Sequence, residues 1–163
     1  MSDETGNFAS LLRNGTRLLR QGKGAEAATL LRKAYLIDPE SHDAALNFGG
    51  ALIMSGKFKK AVPVLEALRD REPENAMVWT NLGAAYLGNP VLATDAQQKR
   101  AIAAFKQALA LDPDAPSVAY NLGLIYRDRK EYEVAKRWFS RALESNPKDR
   151  HAQMLLERLE SDD

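Results

Sequence analysis

The sequence predicts an all-α fold in which pairs of antiparallel helices recur along the chain. Four prolines that follow an acidic or amide residue, Pro39, Pro73, Pro113 and Pro147, are separated by 34, 40 and 34 residues. Proline disfavours the helical conformation of the residue before it, so each of these prolines indicates the end of a helix. Between successive prolines, apolar residues recur with the helical period in two segments, which predicts two amphipathic helices per interval.

Columns of residue types recur at fixed distances from these prolines. A glycine lies 24 residues before the proline in repeats one, two and four, and an alanine lies 12 residues before it in all four repeats. We expect this glycine and this alanine to let the two backbones of a pair approach closely. The groove between the two helices is then filled by a column of large residues 8 before the proline: Leu31, Leu65, Phe105 and Phe139.

Each repeat therefore consists of a first and a second helix joined by a short turn. Gly22 and Gly56 lie in two of these turns, where a positive φ is easily adopted by glycine. Ser41, Asn75 and Asp114 are predicted to be N-caps. The predicted first helices are 8–21, 42–55, 76–87 and 116–128, and the predicted second helices are 24–37, 58–71, 97–111 and 131–145.

The two ends of the chain differ from the repeats. We divide the sequence into a flexible tail (1–6), four repeats (7–39, 40–73, 74–113 and 114–147) and a capping helix with a short tail (148–163). The last segment starts a further first helix, but polar Gln153, Glu157 and Glu160 stand where a partner helix would pack. A helix whose outer face is polar can end a stack, because that face meets water. The residues expected to cover repeat four are Ala152, Leu155, Leu156 and Leu159.

Repeat three contains an insertion. Gly83 lies 30 residues before Pro113 instead of 24, and the excess of six residues falls within 88–98, after the first helix. We expect a tolerated surface loop in which Val91 and Leu92 pack against the repeat. The alternative is that these two residues contact a partner, because loops on rigid scaffolds often carry function.

With these columns the chain resembles the tetratricopeptide repeat family. Repeat three carries the family signature at Trp79, Leu82, Gly83, Tyr86, Ala101, Phe105, Ala108 and Pro113, and repeat four carries it at Leu122, Gly123, Tyr126, Ala135, Phe139, Ala142 and Pro147. Repeats one and two match less well, since Asn14 replaces the usual leucine and Leu68 replaces a small residue. The resemblance implies a right-handed α-solenoid whose first helices line a concave side, and a role in protein–protein interaction.

Composition excludes several other classes of function. The 163 residues include 23 Lys and Arg against 22 Asp and Glu, without a strongly basic half, which argues against nucleic acid as a partner. With no cysteine and only His42 and His151, no metal site, no cofactor and no catalytic pair is predicted, so we expect no enzyme. No apolar stretch approaches the roughly 20 residues of a membrane helix. Together with the polar N-terminal sequence, this favours a soluble, cytoplasmic protein without membrane insertion.

The candidate binding site is a column of asparagines on the first helices. Asn47, Asn81 and Asn121 each lie two residues before the glycine of their repeat, and Arg13 occupies this position in repeat one. An amide offers both donors and an acceptor, so it can bond the backbone of an extended peptide. The alternative is a simple preference for asparagine on this helix surface. The rest of the predicted groove consists of Leu12, Thr16, Arg20, Asp43, Leu46, Gly50, Met54, Met77, Thr80, Ala84, Ser117, Tyr120 and Leu124.

Two partners are compatible with this groove. The first is an extended segment of another protein or peptide. Arg13, Arg17 and Arg20 share one face of the first helix and could bind an acidic stretch of that segment. The alternative is that this face is only a solvated end of the stack. The second is another copy of the chain, giving a homo-oligomer. In that case we expect the contacts to include Met54, Met77 and Leu155.

Overall fold

The computed structural model describes residues 2–161, with side chains described for residues 6–161. Within these residues the chain is entirely helical and contains no strand. The helices are α1 (Ser2–Arg20), α2 (Gly24–Ile37), α3 (His42–Met54), α4 (Phe58–Arg71), α5 (Ala76–Leu87), α6 (Asp95–Leu111), α7 (Val118–Asp128), α8 (Tyr132–Ser145) and α9 (Arg150–Ser161).

The helices pack as a stack in which each one contacts the next along the chain. Four pairs, α1–α2, α3–α4, α5–α6 and α7–α8, correspond to the four repeats, and α9 packs on α8. First helices also contact each other, since α3 touches both α1 and α5. This arrangement confirms the predicted all-α solenoid.

Most helix ends lie within two residues of their predicted positions, with one larger difference. Helix α1 begins at Ser2, six residues before the predicted start at residue 8, so it takes in residues 2–6 of the segment that the sequence assigned to a flexible tail. Met1 and residues 162–163 of the predicted tails lie outside the described residues.

Two of the three predicted N-caps are confirmed. The Ser41 hydroxyl accepts the N–H of Ala44 at 3.3 Å, and the Asn75 side chain accepts the N–H of Met77 at 3.0 Å. Both bonds satisfy a backbone donor that has no partner inside its helix.

The third predicted N-cap, Asp114, is wrong. Helix α7 starts at Val118, and its N-cap is Ser117, which has a φ of 64°. Pro116 disfavours the helical conformation of Ala115, and this delays the start of the helix. The Asp114 carboxylate instead accepts a hydrogen bond from the Ser145 hydroxyl at 3.2 Å, at the end of α8.

Within every repeat, the glycine of the first helix packs against the large apolar residue of the second. A Cβ atom at any of these glycines would lie 2.6 Å from a side-chain carbon of that residue. The glycine therefore makes room for the large side chain that fills the space between the two helices. The four contacts are Gly15–Leu31, Gly49–Leu65, Gly83–Phe105 and Gly123–Phe139.

The two ends of the described stack are polar. Ala152 and Leu159 of α9 are buried against repeat four and Leu155 and Leu156 are half-buried, whereas Gln153, Glu157 and Glu160 are exposed, which confirms the capping helix. At the other end, α1 carries Ser10, Asn14 and Arg17 in columns that are apolar and buried in α3, α5 and α7. The Asn14 amide donates to the Ser10 hydroxyl at 3.3 Å. Asn14 therefore replaces leucine on a face that no helix covers in the described part of the chain.

The insertion forms an ordered loop between α5 and α6. Thr94 and Gln97 make a capping box, in which the Thr94 hydroxyl accepts the Gln97 N–H and the Gln97 side chain accepts the Thr94 N–H. The expectation that Val91 and Leu92 pack against the repeat is wrong, because their exposed fractions are 90% and 75%. Both side chains are therefore open to solvent.

Candidate functional site: a groove along the first helices

The asparagine column lies on the first helices α3, α5 and α7. The side chains of Asn47, Asn81 and Asn121 are all half-buried. The Asn47 amide donates a hydrogen bond to the Thr16 hydroxyl at 3.0 Å, which joins α3 to α1. This bond shows that the Asn47 side chain points toward the first helix of the preceding repeat.

The other two amides lack such a partner. The residue equivalent to Thr16 lies one position after the repeat glycine, and it is Gly50 in repeat two and Ala84 in repeat three. Neither residue has a polar side chain, and within the described residues the amides of Asn81 and Asn121 make no hydrogen bond. Both amides are half-exposed and keep two donors and one acceptor for another molecule.

The surface around these amides combines small residues with exposed larger ones. Gly50 and Ala84 are half-exposed, and a Cβ atom at Gly50 would meet only Leu19, at 3.9 Å. Met77 is 59% exposed, and Arg13 and Arg20 are exposed on α1. The small residues leave room for a polypeptide backbone, and the exposed residues can contact its side chains.

Two further predicted groove residues, Leu12 and Thr80, are half-buried. Leu12 packs against the core. The Thr80 hydroxyl donates to the Ala76 carbonyl at 2.9 Å, which leaves its oxygen free only as an acceptor.

Three predicted groove residues belong mainly to the protein interior. Leu46 is 8% exposed because α3 is packed between α1 and α5, so it offers little surface to a ligand and its assignment to the groove lining is wrong. Tyr120 and Leu124 pack against the apolar cluster that α9 shares with repeat four. Most of the open surface of the groove therefore lies in repeats one to three, and in repeat four Asn121 remains half-exposed.

The three arginines of α1 occupy two different surfaces. Arg13 stands in the asparagine column, whereas Arg17 occupies a column whose other members, Ala51, Ala85 and Ile125, are buried against the preceding repeat. Arg17 therefore lies on the end face of the described stack. All three arginines are exposed, and none makes an ion pair within the described residues.

A polar cluster joins repeats two and three on the second-helix side. The Tyr86 hydroxyl donates to Glu66 at 2.7 Å, Arg100 donates to the same carboxylate at 2.8 Å, and the Arg100 guanidinium lies 3.9 Å from the centre of the Tyr86 ring. Burial raises the pKa of Tyr86, and the hydrogen bond to Glu66 raises it further. These groups satisfy one another, so we assign them a structural role.

In the part of the chain that the structure describes, little supports a metal site or a membrane-spanning segment. No group of three or more His, Asp or Glu side chains there could hold a metal ion. His42 forms a pair with Glu72 at 2.7 Å within repeat two, and His151 is exposed. None of the described helices has the length and apolar character needed to cross a membrane.

Comparison with known proteins identifies the family. The tetratricopeptide repeat family model matches residues 18–86 and 95–159. The chain belongs to the tetratricopeptide repeat family. This family and the helical stack together make the protein a scaffold for protein–protein interaction.

Similar proteins include tetratricopeptide repeat (TPR) structures and a longer curated relative. BBSome complex member BBS4 of Bos taurus is 27% identical over 142 residues, which are 87% of this chain but only 26% of that protein. The structure of MamA 41-end from Desulfovibrio magneticus RS-1 superposes with a TM-score of 0.73 at 26% identity, covering 88% of this chain and 77% of that one. A thermophilic TPR protein from Thermus thermophilus gives a TM-score of 0.80 at 21% identity, with 95% and 82% covered. The chain thus spans about a quarter of the length of this curated relative.

Proposed function

We propose that this TPR protein holds an extended segment of a partner protein in the groove along the first helices of repeats one to four. The observation that carries this proposal is the pair of half-exposed amides, Asn81 and Asn121, which have no hydrogen-bonding partner within the described chain. Asn47 also binds the ligand, once its side chain exchanges the hydrogen bond to Thr16 for a hydrogen bond to the ligand.

The spacing of the amides suits an extended backbone. Packed helices lie about 8–10 Å apart, and an extended chain rises about 3.3 Å per residue. One amide can therefore bond the ligand at about every third residue. Because each hydrogen bond contributes about 0.5–1.5 kcal/mol net, we expect micromolar or weaker affinity.

The side chains around the amides set the preference for the ligand. Exposed Arg13 and Arg20 at the repeat-one end favour an acidic stretch of the segment, and Met77 offers an apolar contact in repeat three. Met is unbranched and flexible, so it can adapt to ligand side chains of different shape.

A peptide selection tests this function. Phage-displayed random peptides are selected on the full chain, and the affinity of a selected synthetic peptide is measured by calorimetry. Asn81→Ala with Asn121→Ala should weaken binding about tenfold, from two hydrogen bonds of roughly 0.7 kcal/mol each. Gln107→Ala, an exposed change on α6, is the control and should leave affinity unchanged. Equal affinity of both variants for every selected peptide would refute the groove assignment.

A second candidate function is self-assembly through the same surface. It is favoured by the exposure of Met54 (51%) and Met77 (59%), whereas Leu155 is already packed on repeat four. Sedimentation over a range of protein concentrations separates the two functions. A dimer that dissociates on Met77→Ser would favour self-assembly, and a monomer throughout would exclude it.

A further inference from the structure

A second cleft lies away from the asparagine column, where the insertion meets repeat two. Its lining comes from the turn between α3 and α4, the start of α4, and the loop between α5 and α6. The cleft has a volume of about 540 Å³, which is within the range of about 300–1,000 Å³ found for ligand clefts. We name it the insertion pocket; it is lined by Gly56, Lys57, Phe58, Lys59, Lys60, Gly88, Asn89, Leu92 and Gln97.

The pocket exists because two equivalent repeat positions carry different residues at this junction and at the preceding one. Between repeats one and two, the Met54 side chain packs over Gly24, so closely that a Cβ atom at Gly24 would lie 2.8 Å from the Met54 Cγ atom. Between repeats two and three, the equivalent positions are Gly88 and Phe58. Here the large residue, Phe58, is on the second helix, and Gly88 has no side chain to pack over it. The Phe58 ring is left half-buried beside an open space.

The insertion supplies the opposite wall and holds it in a defined shape. The Asn89 side chain accepts the Val91 N–H at 3.0 Å, and the Asn89 carbonyl accepts the Leu92 N–H at 3.1 Å. The capping box at Thr94 and Gln97 anchors the far end of the loop. A wall that is already ordered needs little further ordering when a ligand binds, which lowers the entropic cost of binding.

The charges around the pocket have one sign. Lys57, Lys59 and Lys60 line it and are exposed, and the lining includes no carboxylate. None of these lysines forms an ion pair within the described residues. An anionic ligand would therefore meet three ammonium groups without displacing an existing partner.

From this arrangement we infer that the insertion pocket docks an acidic segment of a partner protein. One leucine or phenylalanine side chain of that segment enters between Phe58 and Leu92, and its flanking carboxylates pair with the three lysines. A concave cleft suits an inserted side chain, whereas the flat surface of a membrane would leave it empty. This inference does not depend on the function proposed for the asparagine groove, because the two surfaces share no residue.

A designed peptide tests the inference by fluorescence anisotropy. The probe is a labelled peptide with a central Leu-Phe pair flanked on both sides by glutamates. We expect it to bind the full chain more tightly than two matched peptides, one with glutamine for every glutamate and one with serine for the Leu-Phe pair. Equal binding of all three peptides would overturn the inference.

Two sets of lysine substitutions locate the binding site. The triple variant Lys57→Gln, Lys59→Gln, Lys60→Gln should weaken probe binding about tenfold, since each exposed charge pair contributes little but three are removed together. The control triple Lys23→Gln, Lys33→Gln, Lys148→Gln removes the same charge from exposed positions elsewhere and should change binding less than about twofold. Equal weakening by the two triples would show non-specific attraction and overturn the inference.

The apolar half of the site has its own test. Leu92→Ser changes an exposed residue, so the fold is retained, and it should weaken probe binding about fivefold through the lost apolar contact. Unchanged binding would show that the probe does not occupy the insertion pocket. Vesicles of phosphatidylcholine and phosphatidylserine form a further arm: vesicle binding that the Lys57 triple abolishes, without probe binding, would assign the surface to a membrane instead.

Discussion

The interface inside a repeat and the junction between repeats follow different rules in this protein. Inside each repeat the same contact recurs four times, a glycine of the first helix against a large residue of the second. The junctions share no such contact. The first has the Asn47–Thr16 bond, the second has the Tyr86–Glu66–Arg100 cluster, and the third has Arg129 bonded to Asp95 at 2.6 Å.

This difference separates what maintains the fold from what varies between repeats. A contact that recurs four times is required by the close approach of two helices, since any larger residue than glycine would overlap its neighbour. A junction tolerates alternatives, because side chains of several sizes and polarities can cover the same space. The two surfaces that we propose to bind partners therefore lie at junctions, where amides such as Asn81 and clefts such as the insertion pocket are left open.

The largest effect is expected from breaking the contact inside a repeat. Phe105 is 1% exposed and lies on Gly83, so Phe105→Ala would leave a cavity in the continuous core. We expect the free energy of unfolding to fall by about 3–5 kcal/mol, measured by urea denaturation followed by circular dichroism. The control Gln107→Ala, exposed on the same helix, should change it by less than about 0.5 kcal/mol. A small loss for Phe105→Ala would mean that the core is not continuous at this repeat.

A pair of adjacent glycines in α3 sharpens the comparison. Gly49→Ala would place a Cβ atom 2.6 Å from Leu65 and should destabilise the protein by about 1–3 kcal/mol. Gly50→Ala places its Cβ atom 3.9 Å from Leu19 and should stabilise the helix by about 0.5–1 kcal/mol. Thermal unfolding of the two variants is compared directly. Equal effects would show that the close contact inside the repeat is not what requires glycine.

The contacts inside repeats were predictable from sequence, because they involve a fixed pair of columns. Gly83 and Phe105 were found by spacing alone, even across the insertion. The polar face of α9 was predictable for the same reason, since Glu157 stands in the glycine column.

The wrong predictions concern residues whose surroundings depend on a different helix or on a neighbouring residue. Leu46 was placed in the groove, although α1 and α5 enclose it from both sides. Tyr120 was also placed there, and it is half-buried against a cluster that includes Phe139 of α8 and Leu159 of α9. Asp114 was predicted as an N-cap, but α7 begins only after Pro116, with Ser117 as its N-cap. The partner of Asn47 was missed because hydrogen bonds across a junction require the residue Thr16 from a different repeat, which no single column reveals.

The asparagine column provides a prediction of intermediate size. Asn47→Ala removes the bond to Thr16 and should lower the free energy of unfolding by about 0.5–1.5 kcal/mol. Asn81→Ala removes no internal hydrogen bond and should change it by less than about 0.5 kcal/mol. Chemical denaturation of both variants measures the difference. If Asn81→Ala destabilised the protein as much as Asn47→Ala, Asn81 would be a structural residue, and its part in ligand binding would have to be withdrawn.

The smallest effect is expected at the junction of repeats three and four. Hydrogen bonds from Lys99 and Arg129 hold the pKa of the exposed Asp95 carboxyl below its ordinary value. A pKa that is lower in the folded than in the unfolded state stabilises the protein above the unfolded pKa, and this contribution is lost as the pH falls through the folded value. Asp95→Asn should therefore lower the melting temperature slightly at neutral pH, and the difference should disappear in acid, where wild-type Asp95 is protonated.

The matched control for this junction is Glu74→Gln, which removes a charge from an exposed residue without an ion pair in the described chain. Its melting temperature should stay close to that of wild type across the same pH range. A difference for Asp95→Asn that persisted unchanged in acid would show that the carboxylate charge is not what joins repeats three and four. The junction would then be held by contacts other than this carboxylate charge.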